Sequence, residues 1–185
     1  MANNCFYMMH VKGKKDNVDE FFAELRDYEH NPHFWRVFSA DRLDLQNEPD
    51  GTVVAEIIGD CANSICDCMT DGPGTYAADN PQVSTSLQKE SERLSLAIEV
   101  YAEEPIGDFQ EHYRYEYGAE TASEYAGRKR YRFVEDAYDA PTREEKFAAF
   151  LAAHDLQPTD YSLDDLDDCG CVHSGGFSYY GDFVF

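Results

Sequence analysis

Two groups of soft ligands stand out in the sequence. Cys61, Cys66 and Cys68 form one, and Cys169, Cys171 and His173 form the other. Thiolate and imidazole are the donors that tetrahedral zinc prefers, so a fold that joined the groups would supply a site from Cys66, Cys68, Cys169, Cys171 and His173. The Cys-x-Cys spacing is tighter than that of ordinary zinc motifs, and small buried thiols are the competing account.

Other chemistry-bearing patterns are weaker. Arg128, Lys129, Arg130, Tyr131, Arg132 and Phe133 make the only dense basic run, and basic residues interleaved with aromatics on a strand are what RNA-recognition modules use for stacking. The acids around it, Glu120, Glu124, Glu135 and Asp136, favour charge pairing within the chain instead. Asp164, Asp165, Asp167 and Asp168 are dense but lack the alternate spacing and closing Glu of a calcium loop, so they read as a solvated acidic face. The histidines form no HExxH pair, no serine sits in a nucleophile elbow, and Gly72, Pro73 and Gly74 are turn formers rather than a phosphate cradle. Cys171 and His173 are a nucleophile and base close in sequence, a pair that needs geometry before it implies catalysis. The chain reads as non-enzymatic.

The elements that must position these residues are organised around Leu94 to Tyr117. Leu96, Ile98 and Val100 alternate with Ala97, Glu99 and Tyr101, which predicts a half-buried strand. After a turn at Pro105 and Gly107, Tyr113, Tyr115 and Tyr117 alternate with His112, Arg114 and Glu116, a second strand whose aromatic face needs a surface to lie against. Upstream, Cys5 to Lys12 predicts a central first strand. Asp16 or Asn17 caps a helix over Asn17 to Tyr28, with Val18, Phe21, Phe22 and Leu25 on its buried stripe. Phe34 to Leu45 and Thr52 to Gly59 are strands joined through Asp50 and Gly51. Cys61 to Met69 and Ser84 to Leu94 are short helices, the second capped by Ser84, with a turn-rich loop between them as the place for variable function. Downstream, Arg128 to Val134 is extended, Thr142 to Ala153 is a helix with Phe147, Phe150 and Leu151 on one face, and FSYYGDFVF predicts a terminal strand. The division expected is residues 1–135 as a domain with an added hairpin, and residues 136–185 as a C-terminal helix and acidic tail packed on it.

Composition narrows the function classes. With 13 Tyr, 12 Phe and one Trp in 185 residues, the chain has the material for a real core. Its 37 acidic residues against 15 basic ones leave a formal net charge of −22. A surface that negative repels phosphate backbones and anionic lipids over about 8 Å at physiological salt and favours a basic partner. There is no signal-peptide pattern and no long apolar run, so the expected setting is the cytoplasm, where cysteines stay reduced.

Strand, helix, strand, strand, helix, strand over residues 5–102 is the split βαβ order. The expected fold is therefore α+β, a ferredoxin-like antiparallel sheet extended by the Tyr-rich hairpin and a C-terminal helix and strand elaboration. Within that order, Met1, Ala2, Asn3 and Cys5 with Val11 and Gly13, and the turn Glu104, Pro105, Gly107 and Phe109, resemble the YubB-like ferredoxin-fold proteins carried on plasmids and phages. The resemblance departs after the third strand, where Gly59, Asp60, Cys61 and Ala62 stand in place of a Gly-Thr-Lys-Trp-like stretch. It implies a fold and a mobile-element setting rather than a reaction. Joined to the charge, it leads to an acidic protein-binding module. Glu99, Glu103, Glu104, Glu111 and Glu116 on the hairpin, and Asp164, Asp165, Asp167 and Asp168 on the tail, would meet a basic surface of a host nucleic-acid-handling or defence enzyme, as a CRISPR or restriction inhibitor does. In that reading there is no direct nucleic-acid or membrane contact and no cofactor. A small zinc-containing regulator and a nucleic-acid binder using Arg128 to Arg132 are the alternatives.

Overall fold

Cys5, Tyr7, Met9 and Val11 are buried while the residues between them are not, and this alternation makes Asn4–Gly13 (β1) a strand with one face in the core. The computed structural model describes residues 3–27, 33–71 and 85–185. In it the chain divides into two compact units, residues 1–126 with 177–185, and residues 127–176. The sequence had placed the division after Glu135 and kept the tail in the second part.

In the first unit β1 is central, as expected. It pairs antiparallel with Val53–Ala62 (β3) on one side and Ala97–Glu104 (β4) on the other. Val37–Asn47 (β2) pairs with β3, and Phe109–Glu116 (β5) pairs with β4. Tyr117 and Gly118 both have positive φ, 52° and 89°, the two-residue turn that matches strand twist, and Ala119–Arg132 (β6) follows it. The strand order is β2-β3-β1-β4-β5-β6, all antiparallel. Helices Lys15–Arg26 (α1), Ile65–Met69 (α2) and Leu87–Arg93 (α3) close one core in which Phe21, Leu25, Ile57, Ile65, Leu87, Ile98 and Tyr115 are almost fully buried. The Tyr113 and Tyr115 face of β5 lies against this core, whereas Tyr117, expected on the same face, sits in the turn and is exposed.

The second unit is smaller. The end of β6 pairs with Cys171–Gly175 (β7), and Arg143–Ala153 (α4) buries Phe147, Phe150 and Leu151 with Phe133, Leu156 and Val172. Thr142 and Glu145 cap α4 reciprocally.

Several expected boundaries shift for physical reasons. Helix α1 starts at Lys15, and neither Asp16 nor Asn17 caps it, because the Asn17 amide instead donates to the Leu94 carbonyl at 2.6 Å. Phe22 packs against the core only at its edge and is half-buried, with the Arg26 and Arg42 guanidinium groups 5.5 and 5.0 Å from its ring centre. Cys61 belongs to β3 rather than to a helix. Helix α3 is capped by Ser86, which accepts from the Lys89 amide at 3.3 Å, while Ser84 and most of the turn-rich loop lie outside the described residues. The strand expected from Arg128 begins earlier, at Ala119, since it continues the β5–β6 hairpin. FSYYGDFVF is not a strand; the terminal strand is Cys171–Gly175. Among the described residues no helix is long and apolar enough to cross a membrane.

The β4–β5 turn shows why its residues are what they are. The Glu104 carboxylate accepts from the amides of Ile106, at 3.2 Å, and Gly107. A Cβ on Gly107 would meet that carboxylate, so a larger residue there would push the Glu104 side chain out of its bonds to the turn.

Candidate functional site

On the sheet face away from the helices, strand register lines side chains up in rows. His10 on β1 lies between Glu56 on β3 and Glu99 on β4, and Glu99 lies opposite Arg114 on β5. In the adjacent row Met8 lies between Ile58 and Tyr101, and Tyr101 lies opposite His112. Directly opposed residues share a face with Cβ atoms about 5 Å apart, so these rows are side-chain contacts in the making.

The contacts converge on His112. Its Nε2 lies 3.0 Å from Glu99 Oε1 and its Nδ1 lies 2.7 Å from Glu124 Oε2 on β6. Both partners are carboxylates, an arrangement in which the protonated ring donates from both nitrogens and is favoured as an imidazolium. Glu99 is 0% exposed and His112 6%. Burial works against the charge on each, but the mutual hydrogen bonds and opposite charges outweigh it, holding Glu99 below the usual carboxylate range and His112 above the usual imidazole value. Tyr101 stacks on the imidazolium, and its hydroxyl is pushed up to about 12 by burial and by the neighbouring Glu99 charge.

Residues 177–185 cover this face, and side chains of the sheet hold their main chain. The Phe177 amide donates to Gln110 Oε1 at 2.9 Å, and the Val184 amide to Glu99 Oε2 at 2.9 Å. The Tyr101 hydroxyl donates to the Asp182 carbonyl at 3.3 Å, and His10 Nδ1 to the Phe185 carbonyl at 3.0 Å. Phe183 stacks on His10 with ring centres 3.7 Å apart, and Arg114 lies 5.2 Å from the centre of the Phe185 ring. With both nitrogens engaged and the covering segment in place, His112 acts here as a charge clamp and offers no free nitrogen to a substrate.

The helix side of β5 carries a second buried acid. Glu111 Oε2 accepts from the Ile65 amide at 2.8 Å, occupying the start of α2, and Oε1 accepts from the Tyr113 hydroxyl at 3.2 Å. Burial pushes the Glu111 carboxyl up to about 7, against the pull of these bonds. Beside it a cavity of 320 Å³ is lined by Cys66, Thr70, Asp71, Gln88, Tyr113, Tyr115, Glu120 and Ser123.

The residues expected to meet a partner are divided by the structure. Glu99, Glu104 and Glu111 are buried and committed to His112, to the β4–β5 turn and to α2, so they are not partner-facing. Glu103 and Glu116 are half-buried, Glu116 in an ion pair with Arg114 at 2.5 Å. Asp164, Asp165 and Asp168 are exposed. Asp167 is turned inward within its unit, accepting from the Cys169 and Cys171 amides at 2.8 Å and lying 3.1 Å from His173 Nε2 and 3.9 Å from Arg130.

The soft ligands are also distributed differently from the expectation. Cys66 and Cys68 belong to the first unit, and Cys169, Cys171 and His173 to the second. The thiols that meet are Cys5, Cys61 and Cys68, where hydrogen bonding to the other two, together with burial, pushes the Cys61 thiol well up and keeps it protonated. Among the described residues no three His, Cys, Asp or Glu side chains are arranged to hold a metal. The basic strand places Arg130 and Arg132 at the surface, with Arg130 beside Asp167, while Tyr131 turns to the small core.

No family model, curated protein or solved structure matches the chain.

The site therefore rests on its own geometry, and sequence reasoning passed over its centre. His112 stood in the hairpin as an alternating residue, and strand alternation alone puts it on one face with Gln110 and Arg114. That it meets Glu99 and Glu124 depends on register, which no local pattern encodes.

Proposed function

We propose that the chain is an acidic binding module whose partner is a basic protein surface. The observation that carries this reading is the imbalance of 37 acidic to 15 basic residues, sharpened by where the basic ones are spent. Arg93 holds Glu20, Glu24 and Glu90, Arg42 holds Asp19, Lys89 holds Asp71, and Arg143 and Lys146 flank Glu135. Exposed acids such as Asp41, Asp44, Asp164, Asp165 and Asp168 keep their charge for the solvent side. The contact surface is thus moved from the buried acids of the hairpin to these positions.

A cationic nucleic-acid channel is the kind of surface such a module fits, because its charges are arranged to receive an anionic polymer. A phage or plasmid protein acting on a host nucleic-acid-handling or defence enzyme is the corresponding setting. The ferredoxin-like reading of residues 4–104 belongs to the same proposal and is supported by the order β2-β3-β1-β4 with helices in both crossovers.

The test is capture from nuclease-treated bacterial lysate at low and high salt, followed by competition with purified components. The expected result is a salt-sensitive, nucleic-acid-handling partner from which the module displaces DNA or RNA. Capture indifferent to salt would remove charge as the basis of recognition.

A further inference from the structure

The sheet face that residues 177–185 cover is only part of that surface. Over β2, β3 and the start of β1 it stays open. Phe6 and Ile58 are 53% and 39% exposed there, and with Met8 and Tyr180 they line a cleft of 340 Å³ that is mostly apolar. Adjacent large side chains left in water on an otherwise acidic protein mark an interaction surface.

Three observations say what would occupy it. First, the cleft is rimmed by Asp41 and Asp60, and the groove beside it is lined by Asp44, Glu48 and Glu56. Neither contains a Lys or Arg. Asp60 accepts hydrogen bonds from Asn4 and Ser39, which are neutral and leave its charge uncompensated. Second, a net charge of −22 opposes the approach of a second copy. Third, β2 is the outer strand, but its register shifts between Val37 and Ser39 and between Arg42 and Asp44. Such irregularities twist an edge away from strand addition, so a partner meets the face rather than the edge.

We propose that this cleft is the docking point for a polypeptide that presents one large apolar side chain between Lys or Arg residues. The apolar side chain fills the space over Met8 and Ile58, and the flanking cations meet Asp41 and Asp60. The proposal rests on the acidic-module reading and names the contact that gives it specificity.

The test is fluorescence anisotropy on the full chain with three labelled peptides, Lys-Arg-Phe-Arg-Lys, Lys-Arg-Ala-Arg-Lys and Glu-Glu-Phe-Glu-Glu. Burial of a Phe side chain predicts that the first binds roughly tenfold or more tighter than the second. Ile58→Ser, at an exposed position, should erase that preference, and Asp41→Asn should weaken both basic peptides. Equal, salt-sensitive binding of the Phe and Ala peptides, unchanged in Ile58→Ser, overturns the cleft while leaving the acidic module standing. No binding of either basic peptide, or preference for the acidic one, overturns both. A dimer in sedimentation that dissociates in Ile58→Ser would show the occupant to be a second copy and also overturn the proposal.

Discussion

The rings of Tyr101 and His112 lie parallel across the β4–β5 ladder, 4.2 Å between centres and 6° between planes. The stack places an aromatic face on a buried imidazolium whose edge is gripped by Glu99 and Glu124. A favourable cation–π contact and two charge-assisted bonds therefore act on one side chain.

The clamp gives stability a pH window. Glu99 is depressed, so its contribution is full above the unfolded value near 4.5 and is lost as pH falls through its folded value. His112 is elevated, so its contribution is full below the unfolded value near 6.5 and is lost as pH rises through its folded value. The melting-temperature difference between wild type and His112→Gln should be largest between about pH 5 and 6.5 and should shrink towards alkaline pH. A difference independent of pH would mean that the ring acts through packing alone.

Glu111 behaves in the opposite sense. Its folded value near 7 exceeds the unfolded value of 4.5, so the folded protein takes up a proton in that window and loses stability as pH rises through it. The penalty above pH 8 is about 3 kcal/mol in order of magnitude. Chemical denaturation of Glu111→Gln against wild type should show the variant gaining in relative stability from pH 5 to 8, and parallel profiles would place an ordinary carboxyl at Glu111.

The covering segment depends on Phe183, stacked on His10 and 5.3 Å edge-on from Tyr101. Phe183→Ala should cost about 1 to 3 kcal/mol and accelerate hydrogen exchange at the Val184 amide. An unchanged exchange rate at Val184 would show that the main-chain bonds hold without the ring.

On α1, Phe21 is fully buried and Phe22 half-buried. Phe21→Ala should destabilise by about 3 to 5 kcal/mol, and Phe22→Ala by less than about 2 kcal/mol, in urea unfolding. Equal losses would mean that the helix is rotated from the position described.

Periodicity carried the regular elements. The alternation in β1 and β4 and the apolar stripe of α4 are local patterns, and each element falls within a few residues of where its pattern ends. The candidate site was less legible because its parts are non-local. Glu99 was read as surface since it sits on the mixed side of a strand, and only the cover provided by Phe177 to Phe185 buries it. That cover reads as a strand but forms none, and its bonds come from side chains on three different strands. The Cys5, Cys61 and Cys68 contact was missed for a similar reason, because Cys5 pairs with Cys61 only through the β1–β3 register.

The contact of His10 with Phe183 and Phe185 also carries a consequence for how the protein is made. Because residues 127–176 intervene, the first unit is completed by a segment that leaves the ribosome after the whole second unit has emerged. Until then Glu99, Tyr101 and His112 stand uncovered on a sheet that is otherwise able to assemble. Synthesis thus passes through an interval in which that face of the sheet lacks its cover, and transiently exposed surface of this kind favours chaperone binding and misassembly.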